Sequence, residues 1–489
     1  MQKKLLGNLF FIILLNLIIK PFYIFGIDVQ VQNTVGPEAY GLYFTLLNIS
    51  FLFNILLDIG LTNYNVKNTA QHPSMLTHYL GAYFGIKLLL TIPYLLITVG
   101  FSLAVGYNLM ELSLLGFLIF NQILASFILY IRSNFAGLHL FRIDAILSIL
   151  DRLFLIIIAG FMLYGNFSEK KITIEWFIYA QTASYLLTLF IGIVLTRVKI
   201  GKIKLKTKRL FTIAILKKSF PFALLILLTM LYTRIDSIMI ERMLPDGKEQ
   251  AGIYAQVFRL LDAVNMFAFL IAGILLPIFA RLIIEKSSIK PILQTSGKFL
   301  TGVAIIASIG LALNAEFTIS SIYTHGIQAS STAFFWLILS FIPLSITHVF
   351  GTLLTANHSL KLLNQIALLG IVLNISLNYF MIPILGAEGA AIATLITQSG
   401  TAIAQLIIVM NVFQLSIHWG IIVRILGLTV LYTTTTKMLE TELGNIWSFL
   451  ITFLIGLFFL FALKLLNLKD VFSLLKTKAV PEKANKLET

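Results

Sequence analysis

Fourteen stretches of about 20 apolar residues recur along this chain, each long enough to cross the ~30 Å hydrocarbon layer of a bilayer as a helix. They centre near residues 15, 50, 90, 123, 154, 186, 230, 266, 305, 343, 372, 400, 428 and 456. Within each stretch the apolar residues run on continuously instead of alternating, which selects helices over a membrane barrel. The two most polar are the ninth, which ends in NAEFTISSIYTHG, and the thirteenth, which holds YTTTTKM. Charged residues make up 12% of the chain, against about 25% in soluble domains, and the mean hydropathy is +0.94. The expected fold class is an all-α polytopic membrane protein of about 14 transmembrane helices. The opening MQKKLLGNLFFIILLNLIIK has the basic end and apolar run of a signal peptide but no small-x-small cleavage site, so it reads as a first span that stays.

The net charge is +15, and the placement of the cations gives its meaning. With the N-terminus cytoplasmic, 26 Lys and Arg fall in inward segments and five fall outside: Lys170, Lys171, Arg242, Lys248 and Lys437. That asymmetry follows the positive-inside rule and places both termini in the cytoplasm. Nine of the 26 lie in Arg197–Lys218, a topology anchor between spans six and seven. The basic balance is therefore no sign of nucleic acid. Cysteine is absent, and the seven His (72, 78, 139, 325, 348, 358 and 418) show no metal-ligand spacing, so neither metal nor cofactor is expected. No GxxxxGK[ST] loop occurs, and no loop is long enough for a separate catalytic domain; an enzyme is not expected.

The basic segment divides six spans from eight, and the chain after it echoes the chain before it. GIDVQVQNTVGPEAYGLYF and RIDSIMIERMLPDGKEQAGIYAQ each hold Ile-Asp, a short polar turn, then Gly-x-Tyr opening the next helix. Two lobes of parallel topology follow as the expectation: residues 1–200 and 219–415, joined by a basic linker at 201–218. Two further helices at 416–468 and a cytoplasmic tail at 469–489 complete the chain. Prolines inside spans, such as Pro21, Pro93, Pro277 and Pro383, offer bending points.

Five cations remain inside spans: Lys20, Lys87, Arg152, Arg234 and Arg259. Each costs about 2.5–3.5 kcal/mol at a span centre, so such residues face protein or water. Asp236 and Arg259 lie at similar depth on antiparallel neighbours and can pair, while Arg259 and Asp262 share a face. Lys20 and Arg234 have no acid on their own helix at i±3 or i±4. Lys87 is expected to snorkel to a headgroup, and Arg152, beside Asp151, serves a pathway or anchors an interface. One reading is neutralised pairs that fix helix packing. The other takes an interior excess of cations as suited to an anionic cargo, because guanidinium groups match diphosphate oxygens. Asn16, Thr229, Thr233, Gln256 and Asn265 either contact sugar hydroxyls or link helices, and His348 either titrates or packs.

VGPEAYGLYFTLLNISFLFNILLDIGL, SFPFALLILLTMLYTRIDSIMI, AGIYAQVFRLLDAVNMFAFLIAGILLPIFARL and NISLNYFMIPILGAEGAAIATLITQSG together resemble polysaccharide-biosynthesis flippases. These form the polysaccharide transporter branch, with its O-antigen repeat-unit flippases, of the multidrug/oligosaccharidyl-lipid/polysaccharide exporter superfamily. The resemblance covers most of the chain in order. It implies a two-lobed bundle in the bacterial inner membrane with a central cation-lined cavity. It also implies ion-driven flipping of undecaprenyl-diphosphate-linked oligosaccharide to the periplasmic leaflet. Expected substrate-binding residues are Lys20, Arg152, Arg234 and Arg259; expected ion-coupling or pairing residues are Asp28, Asp236 and Asp262. The expected partners are that lipid-linked oligosaccharide, membrane lipids, and a glycan polymerase or glycosyltransferases. A drug or metabolite exporter of the same fold, a peptidoglycan-precursor flippase and a non-transporting scaffold are the competing classes.

Overall fold

The computed structural model describes residues 18–165, 172–201, 209–416, 419–442 and 445–466. The first span, centred near residue 15, lies largely outside them. Among the described residues every regular element is helical, as lipid requires of a chain whose backbone groups must all bond internally. A π-helical turn, Ile24–Asp28, leads into α1 (Val29–Leu52); a 3₁₀ turn at Asn54–Leu57 then leads to α2 (Leu61–Gln71). Then follow α3 (Leu76–Ala104), α4 (Leu109–Gly137), α5 (Phe141–Tyr164) and α6 (Ile174–Lys199). The next are α7 (Arg209–Met243), α8 (Gly247–Ile284), α9 (Lys290–Leu313) and the short α10 (Ala315–Ser320). The last are α11 (Ile327–Leu339), α12 (Phe341–Ala356), α13 (Leu360–Val412), α14 (Trp419–Glu442) and α15 (Asn445–Ala462). The polar ninth and thirteenth spans are thus helices, and Arg209–Lys218 of the basic segment already belongs to α7.

Two glycines turn what reads as continuous helix into hairpins. Gly36 in α1 has φ +82°, ψ 168°, and Gly386 in α13 has φ +59°, ψ −133°, conformations open chiefly to glycine. Side-chain bonds show the reversal. The Tyr40 hydroxyl donates to Asp28 at 2.9 Å, although twelve residues along a straight helix would separate them by ~18 Å. Likewise Asn378 and Thr394, on either side of Gly386, both donate to Asp236. Counting α13 as two spans, and α11 with α12 as one, gives about fourteen spans in all.

The alternate connections gather at one end, the end expected to face outward. Asn33, before Gly36, donates to the Ile322 carbonyl at 3.0 Å and accepts from the Thr324 amide at 3.1 Å. Gln250, near the α7–α8 turn, accepts from the Ala387 amide at 3.3 Å. Glu111, just past the α3–α4 turn, reaches Lys248. One side of the bundle therefore holds the turns at 36, 105–108, 244–246, 321–326 and 386.

The second span is not continuous. Asp58 accepts from the Thr62 amide at 3.3 Å and so starts α2 anew, with Ile59 and Gly60 at positive φ. Between these ends, α1 packs along α8 and α7. The Gly-x-Tyr segments meet there, with Phe44 and Phe258 ring centroids 5.8 Å apart below the crossing.

Candidate functional site

Lys87 corrects one expectation. Its side chain is 1% exposed, 2.8 Å from Asp58, and donates to the Leu57 carbonyl and the Ser126 hydroxyl. The break between α1 and α2 explains this: it frees the Leu57 carbonyl from the helix ladder and leaves the Asp58 carboxylate needing a counter-charge, and Lys87 serves both. Lys87 is a structural staple, and it reaches no headgroup.

Arg259 and Asp28 form a second close pair. The Arg259 Nε lies 3.0 Å from the Asp28 carboxylate, which is 0% exposed. Tyr40 donates to both Asp28 oxygens, at 2.9 and 3.0 Å, and Tyr23 adds a longer bond at 3.4 Å. The pair joins the Ile-Asp segment of the first half to α8 of the second. The cross-helix pair expected between Arg259 and Asp236 does not form, because Asp28 occupies the guanidinium.

Asp236 instead sits among neutral donors. It is 1% exposed and accepts from Tyr254 at 2.7 Å, Thr394 at 2.6 Å and Asn378 at 2.7 Å. No cation approaches within ion-pair distance among the described residues. Asn374 bonds Asn378 at 3.1 Å, so four polar side chains from α8 and both arms of α13 surround one carboxylate of α7.

Arg234, Arg152 and Lys20 are held differently. Arg234 is 20% exposed; its nearest acid is Asp262, at 3.8 Å and 33% exposed. The guanidinium otherwise rests on the rings of Phe258 and Phe51, 4.9 and 5.6 Å from their centroids, and donates to Asn48 at 3.3 Å. Arg152 repeats the pattern: Asp151 at 3.7 Å, the Tyr23 ring at 5.0 Å, and the Tyr185 hydroxyl at 3.5 Å. Charge-assisted hydrogen bonds run to about 2.7–2.9 Å, so neither guanidinium is closed by its acid. Lys20 lies within electrostatic reach of Arg152, Asp151 and Arg132 and makes no ion pair among the described residues.

The expected interior excess of cations is not found. Asp28, Asp58, Asp151, Asp236 and Asp262 match Lys20, Lys87, Arg152, Arg234 and Arg259 in number. What distinguishes the site is how the charges are distributed. Two cations, Lys87 and Arg259, are closed by acids; three are loosely held, while one acid, Asp236, is satisfied without any cation.

At the end expected to face outward, α4 is tied by charge to α7 and α8. Glu111, at the start of α4 in a capping box with Asn108, reaches Lys248 at 2.9 Å and Arg242 at 3.5 Å. Tyr107 donates to Glu241, and its ring lies 3.5 Å from the Arg242 guanidinium carbon. A cavity of about 510 Å³ opens beside these groups, lined also by Glu38, Asp246 and Glu249. It sits eight residues of α7 away from Arg234, ~12 Å along the axis, so it is separate from the inner cations. Sequence reasoning passed over Glu111, Tyr107, Tyr40 and Tyr254; the Gly-x-Tyr echo was the one sign of the last.

The family model described as "Polysaccharide biosynthesis protein" matches residues 5–283. No curated protein matches the chain in sequence. Among solved structures the chain is similar to the lipid II flippase MurJ in an inward closed conformation, with TM-score 0.72 and 14% identity over 96% of this chain and 99% of that one. It is similar to an inward-facing multidrug resistance MATE family transporter of the MOP superfamily, with TM-score 0.61 and 14% identity over 82% and 96%. A MOP superfamily transporter from Pyrococcus furiosus, whose binding pocket is described as of reverse polarity, gives TM-score 0.59 and 13% identity over 84% and 95%. These likenesses establish the fold.

Proposed function

Because the chain belongs to the polysaccharide biosynthesis protein family, we propose that it flips an undecaprenyl-diphosphate-linked oligosaccharide across the bacterial cytoplasmic membrane by alternating access. Residues 1–200 and 219–415 act as the two lobes, with 201–218 as linker, 416–468 as added helices and 469–489 as a cytoplasmic tail. The observation that carries this reading is the set of three loosely held cations. Arg234 and Arg152 stand 3.8 and 3.7 Å from their acids, and Lys20 has none among the described residues, so a diphosphate gains full hydrogen bonds without first breaking strong ones. Aromatic rings keep the guanidinium groups in place when no cargo is bound.

Arg259 takes a different part. Its pair with Asp28 spans the two halves, so cargo phosphate that draws Arg259 away loosens the contact between α1 and α8. Asp236, buried among neutral donors, is the coupling group: protonation or a bound cation offsets a charge that no cation balances among the described residues. Multi-pass insertion follows from the apolar helices, and the positive-inside asymmetry supports cytoplasmic termini.

Cells carrying Arg234→Ala are expected to lose surface glycan while the protein remains in the membrane at normal level. Normal glycan in that variant removes Arg234 from the mechanism. Cells lacking the chain should grow but lack the glycan; loss of viability would favour a peptidoglycan precursor, and altered drug resistance with intact glycan a drug exporter.

A further inference from the structure

On α8, Asn265 stands three residues beyond Asp262, on the same face and ~4.5 Å further along the axis. Its Oδ1 lies 2.9 Å from Nε2 of His348 on α12. Phe269, one turn on, stands nearly perpendicular to the imidazole, with centroids 6.2 Å apart at 83°. Phe269 is 68% exposed, while Asn265 and His348 are half-buried.

The bond between Asn265 and His348 uses only one polar atom of each. With Oδ1 as acceptor, His348 carries its proton on Nε2, so Nδ1 remains an acceptor and the Asn265 amide remains a donor. Neither makes a further side-chain hydrogen bond among the described residues. A part-exposed amide and imidazole on a membrane helix face water or protein, because hydrocarbon leaves such groups unsatisfied. A sugar hydroxyl both donates and accepts, and the C–H face of a pyranose packs on an aromatic ring. Along α8 the donor stands about one helical turn, and the ring about two, beyond Asp262, the loosely held partner of Arg234.

We propose that Asn265, His348 and Phe269 form a carbohydrate subsite, which holds the sugar nearest the diphosphate while Arg234 holds the phosphates. The subsite rests on the flippase reading and adds what that reading lacks: contacts that distinguish a glycosylated carrier from the bare lipid.

The test uses the full-length protein in nanodiscs and two probes. One is sugar-free undecaprenyl diphosphate; the other is the undecaprenyl-diphosphate glycan extracted from cells lacking this chain. His348→Ala and Phe269→Ala are expected to weaken binding of the glycosylated probe about tenfold, a 1.4 kcal/mol loss, and to leave the bare lipid unchanged. His348→Gln, which keeps a donor and an acceptor, should recover part of the loss. Arg234→Ala should weaken both probes. Equal loss for both probes in the His348 and Phe269 variants marks a packing pair and overturns the subsite, as does no loss for either. Unchanged binding of both probes to Arg234→Ala overturns the flippase reading separately, and failure of deleted cells to accumulate the lipid overturns both.

Discussion

Gly41 and Gly252 meet where α1 crosses α8, so closely that neither position admits a methyl group. A Cβ on Gly41 would stand 1.8 Å from the Lys248 carbonyl oxygen, and one on Gly252 would stand 2.0 Å from that of Pro37. Backbone fills both spaces, so a larger residue must push the helices apart. These are the glycines of the two Gly-x-Tyr segments, and their contact packs α1 against α8 at the end expected to face outward. Gly41→Ala is expected to open that end. The chain has no cysteine, so Ser237→Cys, placed at the buried position below the crossing, reports alone. Its labelling by an impermeant maleimide added outside should rise about tenfold in the Gly41→Ala background, a 1.4 kcal/mol shift in the gate. An unchanged rate would show that the crossing is not the gate.

Below the crossing, the Asn48 amide donates to the Ser237 hydroxyl at 2.8 Å. Side chains this short hold their Cβ atoms within about 6 Å, a small helix movement from the 3.5–4.5 Å that a disulfide needs. The pair Asn48→Cys with Ser237→Cys is expected to cross-link on oxidation and to stop glycan export until reductant is added. Export that continues in the oxidised protein would mean that the two halves need not part here.

Glu111 ties α4 to both Lys248 and Arg242 beside an open cavity. Glu111→Gln should shift the gate toward the outward-open form by about 1 kcal/mol, the upper range for a solvent-accessible ion pair. Because salt screens such pairs, high salt should produce the same shift in the unmodified protein and little further change in Glu111→Gln. A salt response as large in the variant would place the ionic tie elsewhere.

Lys87→Met leaves the half-buried Asp58 charged without its cation. Breaking a buried pair in this way costs about 3–5 kcal/mol, read as a lowered midpoint of unfolding in detergent. Lys87→Met with Asp58→Asn removes both charges and keeps an oxygen for the Thr62 amide, so most of the loss should return. If the double variant is as unstable as the single one, the pair is not what holds the break between α1 and α2.

The bundle itself was legible in the sequence because lipid imposes the same long apolar run on every span, including the polar runs at residues 305 and 428. The Gly36 and Gly386 reversals were expected as separations between spans, with no geometry, since a single residue at positive φ leaves no mark on hydropathy. The interior charges were found for the same reason that they are costly. Their partners were not, because pairing depends on helix rotation and on which helices adjoin. Asp28 took Arg259 through packing between distant segments, and Lys87 was captured by a helix break that no apolar pattern announces. Asp151 lay in plain view beside Arg152, yet the interior charge balance was read without it.

The most direct measurement is translocation in proteoliposomes. The purified chain is reconstituted with an undecaprenyl-diphosphate glycan carrying a fluorescent sugar, and loss of inner-leaflet signal is followed under an imposed ion gradient. The wild type should move the lipid, and a variant with Lys20→Gln, Arg152→Gln and Arg234→Gln together should move none, with Arg259–Asp28 left intact. Translocation by that triple variant at the wild-type rate would contradict the claim that loosely held cations carry the phosphates.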